Sequence, residues 1–203
     1  MTTFEQIESD FLNIGENDDT AIINYFYNNK DFFISTDFKR EEIGIKSLWI
    51  MSEIINSAYK LNNQEIVKSI SELTITNFKN YSSRFNYNLK NDSHYKLLLF
   101  NVANNRLTNK SYFQAFKYFK ELLRLDEESL KIKEIYNEVK SRLIKIVARI
   151  LGLIGLTLIL LKYSLKILEV GNHIELIIIG YSGACLLIIF VVIELSVKVK
   201  SIN

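Results

Sequence analysis

The residues of this 203-residue chain that most often take part in chemistry are few and far apart: His94, His173 and Cys185. A structural zinc site needs about four Cys or His ligands, and a disulfide needs a second cysteine. His94 follows Asp92 and Ser93, yet three adjacent residues cannot form a catalytic triad, whose members converge from separate segments. We therefore expect His94 to be a polar residue at a helix start, and we predict no catalytic residue, no metal site and no cofactor.

The sequence contains none of the common motifs of nucleotide or nucleophile chemistry. It lacks a glycine-rich phosphate loop and the HExxH, GxSxG and CxxC patterns. Acidic clusters occur at three predicted helix starts: Asp18-Asp19, Glu41-Glu42 and Asp126-Glu127-Glu128. Carboxylates at a helix start interact favourably with the helix dipole, so capping explains these clusters better than metal binding. We expect a protein that is not an enzyme.

The overall composition predicts an all-α protein. Lys and Arg number 25 against 23 Asp and Glu, and a net charge of +2 gives no electrostatic argument for nucleic acid as a partner. The chain has no proline, which indicates long uninterrupted helices. Apolar residues recur every three to four positions, and no alternating pattern predicts a strand.

Charge and hydrophobicity divide the chain near residue 143. Residues 1–143 hold 19 basic and 20 acidic residues and 22 of the 25 aromatic residues. Residues 144–203 hold six basic and three acidic residues, and most of the others are Ile, Leu, Val and Gly. We therefore predict a helical domain at 1–143 and a membrane domain at 144–203.

The membrane domain is predicted to contain two transmembrane helices, at about 144–168 and 174–196. Leu176–Ile193 runs for 18 residues without a formal charge, close to the ~20 residues that cross a bilayer. The short turn at Glu169–His173 contains Gly and Asn, which tolerate tight turns. Spans joined by so short a turn must be antiparallel neighbours, so the sequence predicts a transmembrane hairpin.

The first span carries basic residues and glycines on one face. On a helical wheel they share an arc of about 140°: Lys145, Arg149, Gly152, Gly155, Lys162 and Lys166. Three interpretations fit: basic side chains that extend to the headgroups beside a glycine packing face, a polar face that lines a pore or partner groove, or an interfacial amphipathic helix. Gly180 and Gly183 are the corresponding candidates of the second span.

The basic flanks of the hairpin predict its orientation. They precede the first span and follow the second: Lys131, Lys133, Lys140, Arg142, Lys145, Arg149, Lys198 and Lys200. The positive-inside rule places both flanks, and hence both termini, in the cytoplasm, with the hairpin in the inner (cytoplasmic) membrane. The N-terminal segment MTTFEQIESDFL is acidic and has no apolar core, so we expect no signal peptide.

Residues 1–143 are predicted to form antiparallel helical hairpins, because the links between the helices are short. The predicted helices are Thr3–Ile14, Asp19–Phe33, Phe38–Leu61, Gln64–Tyr81, Ser93–Leu107, Lys110–Leu125 and one that starts near Glu127. Asp37, Asn63 and either Asp92 or Ser93 are the expected N-caps. Tyr81–Asn91 is the longest predicted link, and Trp49 is expected to be buried.

One segment, Leu99–Ser129, resembles a tetratricopeptide repeat (TPR). Ala103 falls at the small residue of the first repeat helix, Ala115 at the alanine of the second, and Phe119 at the aromatic position four residues later. The segment departs from the family at Glu127, where proline is usual, and at its first residue, where leucine replaces tryptophan. The resemblance implies stacked helix pairs with a concave, partner-binding surface; the alternative is an irregular bundle.

Two functions fit this architecture. One is a membrane-anchored helical adaptor or scaffold that binds a protein partner at the cytoplasmic face. The other is an oligomeric membrane-perturbing or pore-forming effector or accessory protein, by analogy of architecture with small membrane proteins of prokaryotic antiviral systems. The expected partners are the lipid bilayer, a cytoplasmic protein and, for the second function, further copies of the chain.

Two features indicate where a protein partner could bind. The aromatic residues Tyr25, Tyr27, Phe32 and Phe33 are candidates for a partner surface, and we expect at least half of the aromatics in this region to pack in the helical core instead. Charge is also uneven: residues 1–42 contain ten acidic and three basic residues, whereas residues 43–143 contain ten acidic and 16 basic. Such asymmetry can steer a charged partner.

Overall fold

The computed structural model describes residues 3–15, 18–35, 41–167 and 172–200. This part of the chain contains α-helices and no strand, which confirms the predicted all-α fold. The helices are α1 (Phe4–Leu12), α2 (Asp19–Asn28), α3 (Lys30–Ser35), α4 (Glu41–Lys60), α5 (Gln64–Phe85), α6 (Ser93–Thr108), α7 (Tyr112–Leu125), α8 (Leu130–Ile167) and α9 (His173–Lys200). A short 3-10 helix, Leu89–Asn91, lies between α5 and α6.

The chain forms two compact units, residues 1–136 (unit 1) and 137–203 (unit 2). The border between them lies inside α8, and the predicted domain boundary at residue 143 falls a little further along the same helix. Helix α8 begins slightly later than Glu127, where the sequence placed the start, and continues without a break to Ile167.

Side-chain caps begin several helices of unit 1. Asn63 accepts a hydrogen bond from the backbone N–H of Ile66 at the start of α5, at 3.2 Å. Asp92 accepts one from Tyr95 at the start of α6, at 2.7 Å. Both agree with the sequence prediction, since each satisfies a backbone donor that a helix start leaves unpaired. The third predicted cap, Asp37, lies outside the described residues.

The core of unit 1 surrounds α4. This helix packs against α2, α5 and α6, and α6 packs in turn against α7. The largest fully buried side chains come from all of these helices: Phe26, Leu48, Met51, Ile54, Ile55, Phe78, Tyr95, Tyr118 and Phe119. Burying one such side chain stabilises a fold by about 1.5–3 kcal/mol, so unit 1 has the apolar contacts of a folded globular domain.

The predicted helix Asp19–Phe33 is two helices in the structure. Helix α2 ends at Asn28, and α3 starts at Lys30. Between them, the Asn29 side chain donates to the carbonyl of Tyr25 at 3.0 Å. The backbone of Asn29 leaves the helical region, with φ at −120° and ψ at 18°, and this interrupts the helix.

The link between α5 and α6 is shorter than the predicted link Tyr81–Asn91. Helix α5 continues to Phe85 and ends because Asn86 adopts a left-handed conformation, with φ at 51°. Asparagine tolerates this conformation, which commonly ends helices. The remaining link is held by side chains: the Ser82 hydroxyl donates to the carbonyl of Tyr87 at 2.6 Å.

The TPR-like segment forms the helix pair α6 and α7. Ala103, Ala115 and Phe119 are all fully buried in it. Any tightly packed helix pair would bury small and aromatic residues in the same way. The resemblance to the family therefore stays a prediction.

Candidate functional site

Unit 2 is a pair of helices, α8 and α9, that pack against each other in antiparallel directions. Gly152 of α8 lies against the ring of Phe190, and Lys162, further along α8, lies against Gly180. Residue numbers thus rise along α8 as they fall along α9. The hairpin predicted from the sequence is present.

Two glycines allow the backbones of the two helices to touch. A Cβ atom placed on Gly155 would lie 2.7 Å from the carbonyl oxygen of Gly183, and one placed on Gly183 would lie 2.7 Å from that of Gly155. No side chain fits at such distances. Gly152 and Gly180 are buried in the same interface, so the four predicted glycines lie between the helices of one hairpin.

The contact face of α8 follows a regular spacing. Ala148, Gly152, Gly155, Ile159 and Lys162 are separated by four, three, four and three residues, and all are buried or half-buried. Positions that alternate in this way have a period of 3.5 residues, the period of left-handed helix pairs. The packing is therefore that of a small-residue coiled coil, a common arrangement of membrane helices.

Outside this contact face, the surface of the hairpin is apolar. Both helices are long and apolar enough to cross a membrane, and within their most apolar windows only 17% and 11% of the residues are buried. Exposed side chains include Ile150, Leu153, Leu160, Ile178, Ile188 and Val192. The core helix of a soluble protein would instead be mostly buried, and by length and composition the two helices are candidates for spanning a membrane.

The register of the hairpin aligns the apolar segments of its helices. With Gly152 opposite Phe190, the uncharged stretch Leu176–Ile193 of α9 lies level with Arg149–Lys166 of α8. Each stretch is about 27 Å long at 1.5 Å per residue. This length approaches the ~30 Å thickness of bilayer hydrocarbon, so the two helices form one apolar belt.

The predicted basic arc of the first span does not form one uniform face. Arg149 and Lys166 are exposed and lie at opposite ends of the belt, whereas Lys145 and Lys162 are half-buried. Lys162 lies within the belt: a Cβ on Gly180 would be 2.5 Å from its Cδ and 2.7 Å from its Nζ. The notch left by this glycine therefore holds the end of the lysine side chain, from Cδ to Nζ.

Two of the four aromatic candidates for a partner surface are core residues, in keeping with the expectation that at least half of the aromatics in this region pack in the core. Tyr25 is 9% exposed and Phe33 is 0% exposed. The Tyr25 hydroxyl donates to the carbonyl of Ile7 at 2.6 Å, and burial raises its pKa to about 12. Tyr27 is 46% exposed and Phe32 is half-buried, so these two remain candidates. Each helix turns one of its two candidates into the core: α2 buries Tyr25, and α3 buries Phe33.

Unit 1 has a groove of about 440 Å³ that the sequence did not reveal. Its lining comes from α1, the link after it, α2 and α4: Phe11, Leu12, Ile14, Gly15, Asp19, Ile22, Glu53, Asn56, Ser57 and Lys60. Asp19 and Lys60 form an ion pair across it at 3.2 Å, and Leu12 is 73% exposed. These residues lie up to about 50 positions apart, so no local pattern could have brought them together.

A polar cluster lies beside Glu53, one of the groove residues. His94 Nδ1 is 3.1 Å from Glu53 Oε1, and the His94 ring stacks on Trp49 at 5.4 Å. The hydrogen bond to Glu53 raises the pKa of His94, and the same bond lowers the pKa of Glu53. Trp49 is half-buried, which corrects the expectation of a buried tryptophan. It donates from Nε1 to Asp92 at 3.0 Å.

The contacts of this cluster join α4 to the start of α6. Asp92 caps α6, and the tryptophan bonded to it stacks on His94. Among the described residues, no three His, Cys, Asp or Glu side chains are close enough to hold a metal ion. Comparisons of the chain with models of protein families, with curated proteins and with solved structures gave no match. Its function must therefore be argued from the geometry above.

Proposed function

We propose that the chain is a membrane-anchored helical adaptor. The α8–α9 hairpin spans the bilayer, and unit 1 binds a protein partner at the cytoplasmic face. The contact between Gly155 and Gly183 carries this proposal.

Membrane helices associate mainly through close packing, for which small residues allow backbones to approach. In this hairpin the small residues of α8 and α9 contact each other within one chain. The surface that remains is an apolar belt suited to lipid tails. Such a hairpin needs no further copies to satisfy its contacts, as is expected of an anchor.

The charges at the ends of the belt support a cytoplasmic orientation for the N-terminal side. Lys140, Arg142, Lys145 and Arg149 precede Ile150 on α8. Basic residues that flank spans are concentrated on the cytoplasmic side. The proposed orientation has both termini in the cytoplasm and the link between α8 and α9 on the opposite side of the membrane.

The partner that best fits unit 1 is a basic segment of a protein. Residues 1–42 contain ten acidic and three basic residues, and this region contributes Leu12 and Asp19 to the groove. A groove of mixed apolar and polar lining with an acidic surrounding favours an amphipathic, positively charged segment. Exposed Tyr27 adds an aromatic contact of the kind that is enriched at protein interfaces.

The proposal is tested by topology and by mass. Tags at Thr2 and Asn203 should both resist external protease in intact cells, and the chain should stay in membranes washed with alkaline carbonate. The particle extracted in a mild detergent should have the mass of a monomer or dimer. A protein released by the carbonate wash, or a tag cleaved from outside, contradicts the anchor.

A second proposal is an oligomeric, membrane-perturbing effector, and Lys162 is the observation that favours it. A charge within the apolar belt costs roughly 2.5–3.5 kcal/mol on insertion scales unless it meets water or a partner. A water-filled centre between several hairpins would supply that water. In this case the extracted particle should be a larger ring, and Lys162→Glu should change ion conductance in reconstituted bilayers.

A further inference from the structure

We propose that the basic end of unit 2 binds the headgroups of anionic phospholipids. This surface, the basic collar, consists of Lys140, Arg142, Lys145 and Arg149 on α8. The inference rests on the proposed membrane function, because it requires the hairpin to be in a bilayer. It adds a lipid preference that an apolar anchor alone would not have.

The collar has an excess of positive charge. Residues 137–149 contain these four basic residues and one acidic residue, Glu138. Glu138 already pairs with Arg142 at 2.6 Å. At the opposite end of the belt, residues 166–175 contain one lysine and two glutamates. The two ends of the hairpin thus carry net charges of opposite sign, and only the collar attracts anions.

The position of the collar favours a lipid headgroup over a soluble anion as its ligand. The four residues span about 14 Å of α8 directly before the apolar belt. The headgroup layer is about 5–7 Å thick on each side, and the surface potential of an anionic leaflet extends about 8 Å further. Arg149 and Lys145 therefore lie within the headgroup layer, next to hydrocarbon on the same helix, and Arg142 and Lys140 lie where the surface potential of an anionic leaflet still acts.

The side chains of the collar are accessible to such headgroups. Lys140 and Arg149 are exposed, and the Arg142 side chain is 52% exposed. On a helical wheel Lys140 points about 160° away from Arg142. The collar therefore presents charge to lipids on two sides of the helix, so several headgroups can bind at once.

The test compares lipid binding by the full chain purified in neutral detergent. Native mass spectrometry is used with phosphatidylglycerol and phosphatidylcholine that have the same acyl chains. Phosphatidylglycerol should be retained in preference. The triple variant Lys140→Gln, Arg142→Gln and Lys145→Gln should lose about fivefold in affinity per charge, roughly a hundredfold in all. Phosphatidylcholine binding should not change.

Two control variants separate the collar from general effects. Changing Lys68, Lys110 and Lys120 to Gln removes the same charge from exposed sites of unit 1 and should leave the preference intact. Replacing Lys140 and Lys145 with Arg keeps the charge, and this variant should bind phosphatidylglycerol like the original chain. A loss with the unit 1 variant as large as with the collar variant overturns the inference.

The source of the phosphate and the underlying function are tested separately. Millimolar glycerol 1-phosphate, the soluble headgroup, should not displace phosphatidylglycerol; displacement would assign the site to a free phosphate instead. Equal retention of both lipids by a chain that resists carbonate extraction overturns the lipid preference and leaves the anchor standing. Release by carbonate overturns the proposed function itself.

Discussion

Gly155 and Gly183 face each other across the α8–α9 hairpin, and each leaves room only for the backbone of the other. A Cβ on either residue would lie 2.7 Å from the opposite carbonyl oxygen. Real Cβ atoms do not come this close to other atoms, and a backbone cannot move aside as a side chain can. This pair therefore sets both the distance between the helices and their register.

We predict that Gly155→Ala or Gly183→Ala separates the two helices and costs the hairpin about 1–2 kcal/mol. The measurement is the unfolding of the full chain in mixed detergent micelles, followed by circular dichroism. Gly15→Ala is the matched control, because a Cβ on Gly15 would meet nothing within 4 Å. An effect at Gly155 no larger than at Gly15 would contradict the close contact.

The four interface glycines should differ in how well they tolerate alanine. A Cβ on Gly152 would meet the Phe190 ring at 2.9 Å, and one on Gly180 would meet the flexible end of Lys162. A ring can tilt and a lysine chain can swing to the headgroups. The same unfolding measurement should therefore rank the cost as Gly155 and Gly183 above Gly152, and Gly152 above Gly180, with less than about 0.5 kcal/mol at Gly180. A reversed order would exclude this register.

The pair of His94 and Glu53 should stabilise unit 1 only in a window of pH. The pKa of His94 is raised above its ordinary 6.5, so its contribution is complete below 6.5 and is lost as the pH rises through the raised value. The pKa of Glu53 is lowered below its ordinary 4.5, so its contribution is complete above 4.5 and is lost at lower pH. Both contributions are complete between 4.5 and 6.5. Solvent limits their size, because the side chains are 35% and 32% exposed.

The only tryptophan of the chain can report this titration. Trp49 stacks on His94, and a protonated imidazole quenches tryptophan fluorescence. Emission from the full chain should rise between pH 5 and 9, with a midpoint above 6.5. His94→Gln should abolish the rise, and His173→Gln, which alters the other histidine, should not. A midpoint at or below 6.5 would show that Glu53 does not hold the proton on the ring.

We expect the loss of the Asp92 cap to destabilise unit 1 more than the loss of the Asp18 cap. It is 4% exposed and accepts hydrogen bonds from Trp49, Tyr87 and the backbone of Tyr95. Asp92→Ala leaves these donors unsatisfied, so we expect a loss of about 2–4 kcal/mol in chemical denaturation of the full chain. Asp18→Ala, at the exposed cap of α2, should cost only about 1 kcal/mol. Equal losses of stability in the two variants would mean that water accepts the hydrogen bonds that Asp92 accepted.

The burial of Phe33 in α3 and the exposure of Tyr27 in α2 predict different effects of alanine substitution on stability. Phe33→Ala should destabilise unit 1 by about 3–5 kcal/mol, because Phe33 is fully buried. Tyr27→Ala, at a residue 46% exposed, should change stability by less than about 1 kcal/mol. The readout is the denaturation midpoint of the full chain. If Phe33→Ala does not lower the stability, Phe33 is a candidate for the partner surface after all.

Most of the helices could be predicted because their signals are local. Asn63 and Asp92 are residue types that accept from a helix start a few positions later, and both cap as predicted. Apolar runs such as Leu176–Ile193 mark long helices by composition alone. The errors arose where the backbone of a single asparagine leaves helical φ and ψ, as at Asn29 and Asn86.

The sequence by itself determined that the chain is all-α and ends in two long apolar helices, because helical hydrogen bonds and hydropathy act within a segment. Only the tertiary structure decided which faces those helices bury. Tyr25 is a core residue because it meets Ile7, and Gly155 is an interface residue because it meets Gly183. Such burial depends on partners about 20 to 30 positions away, and a pattern read along one helix carries no information about them.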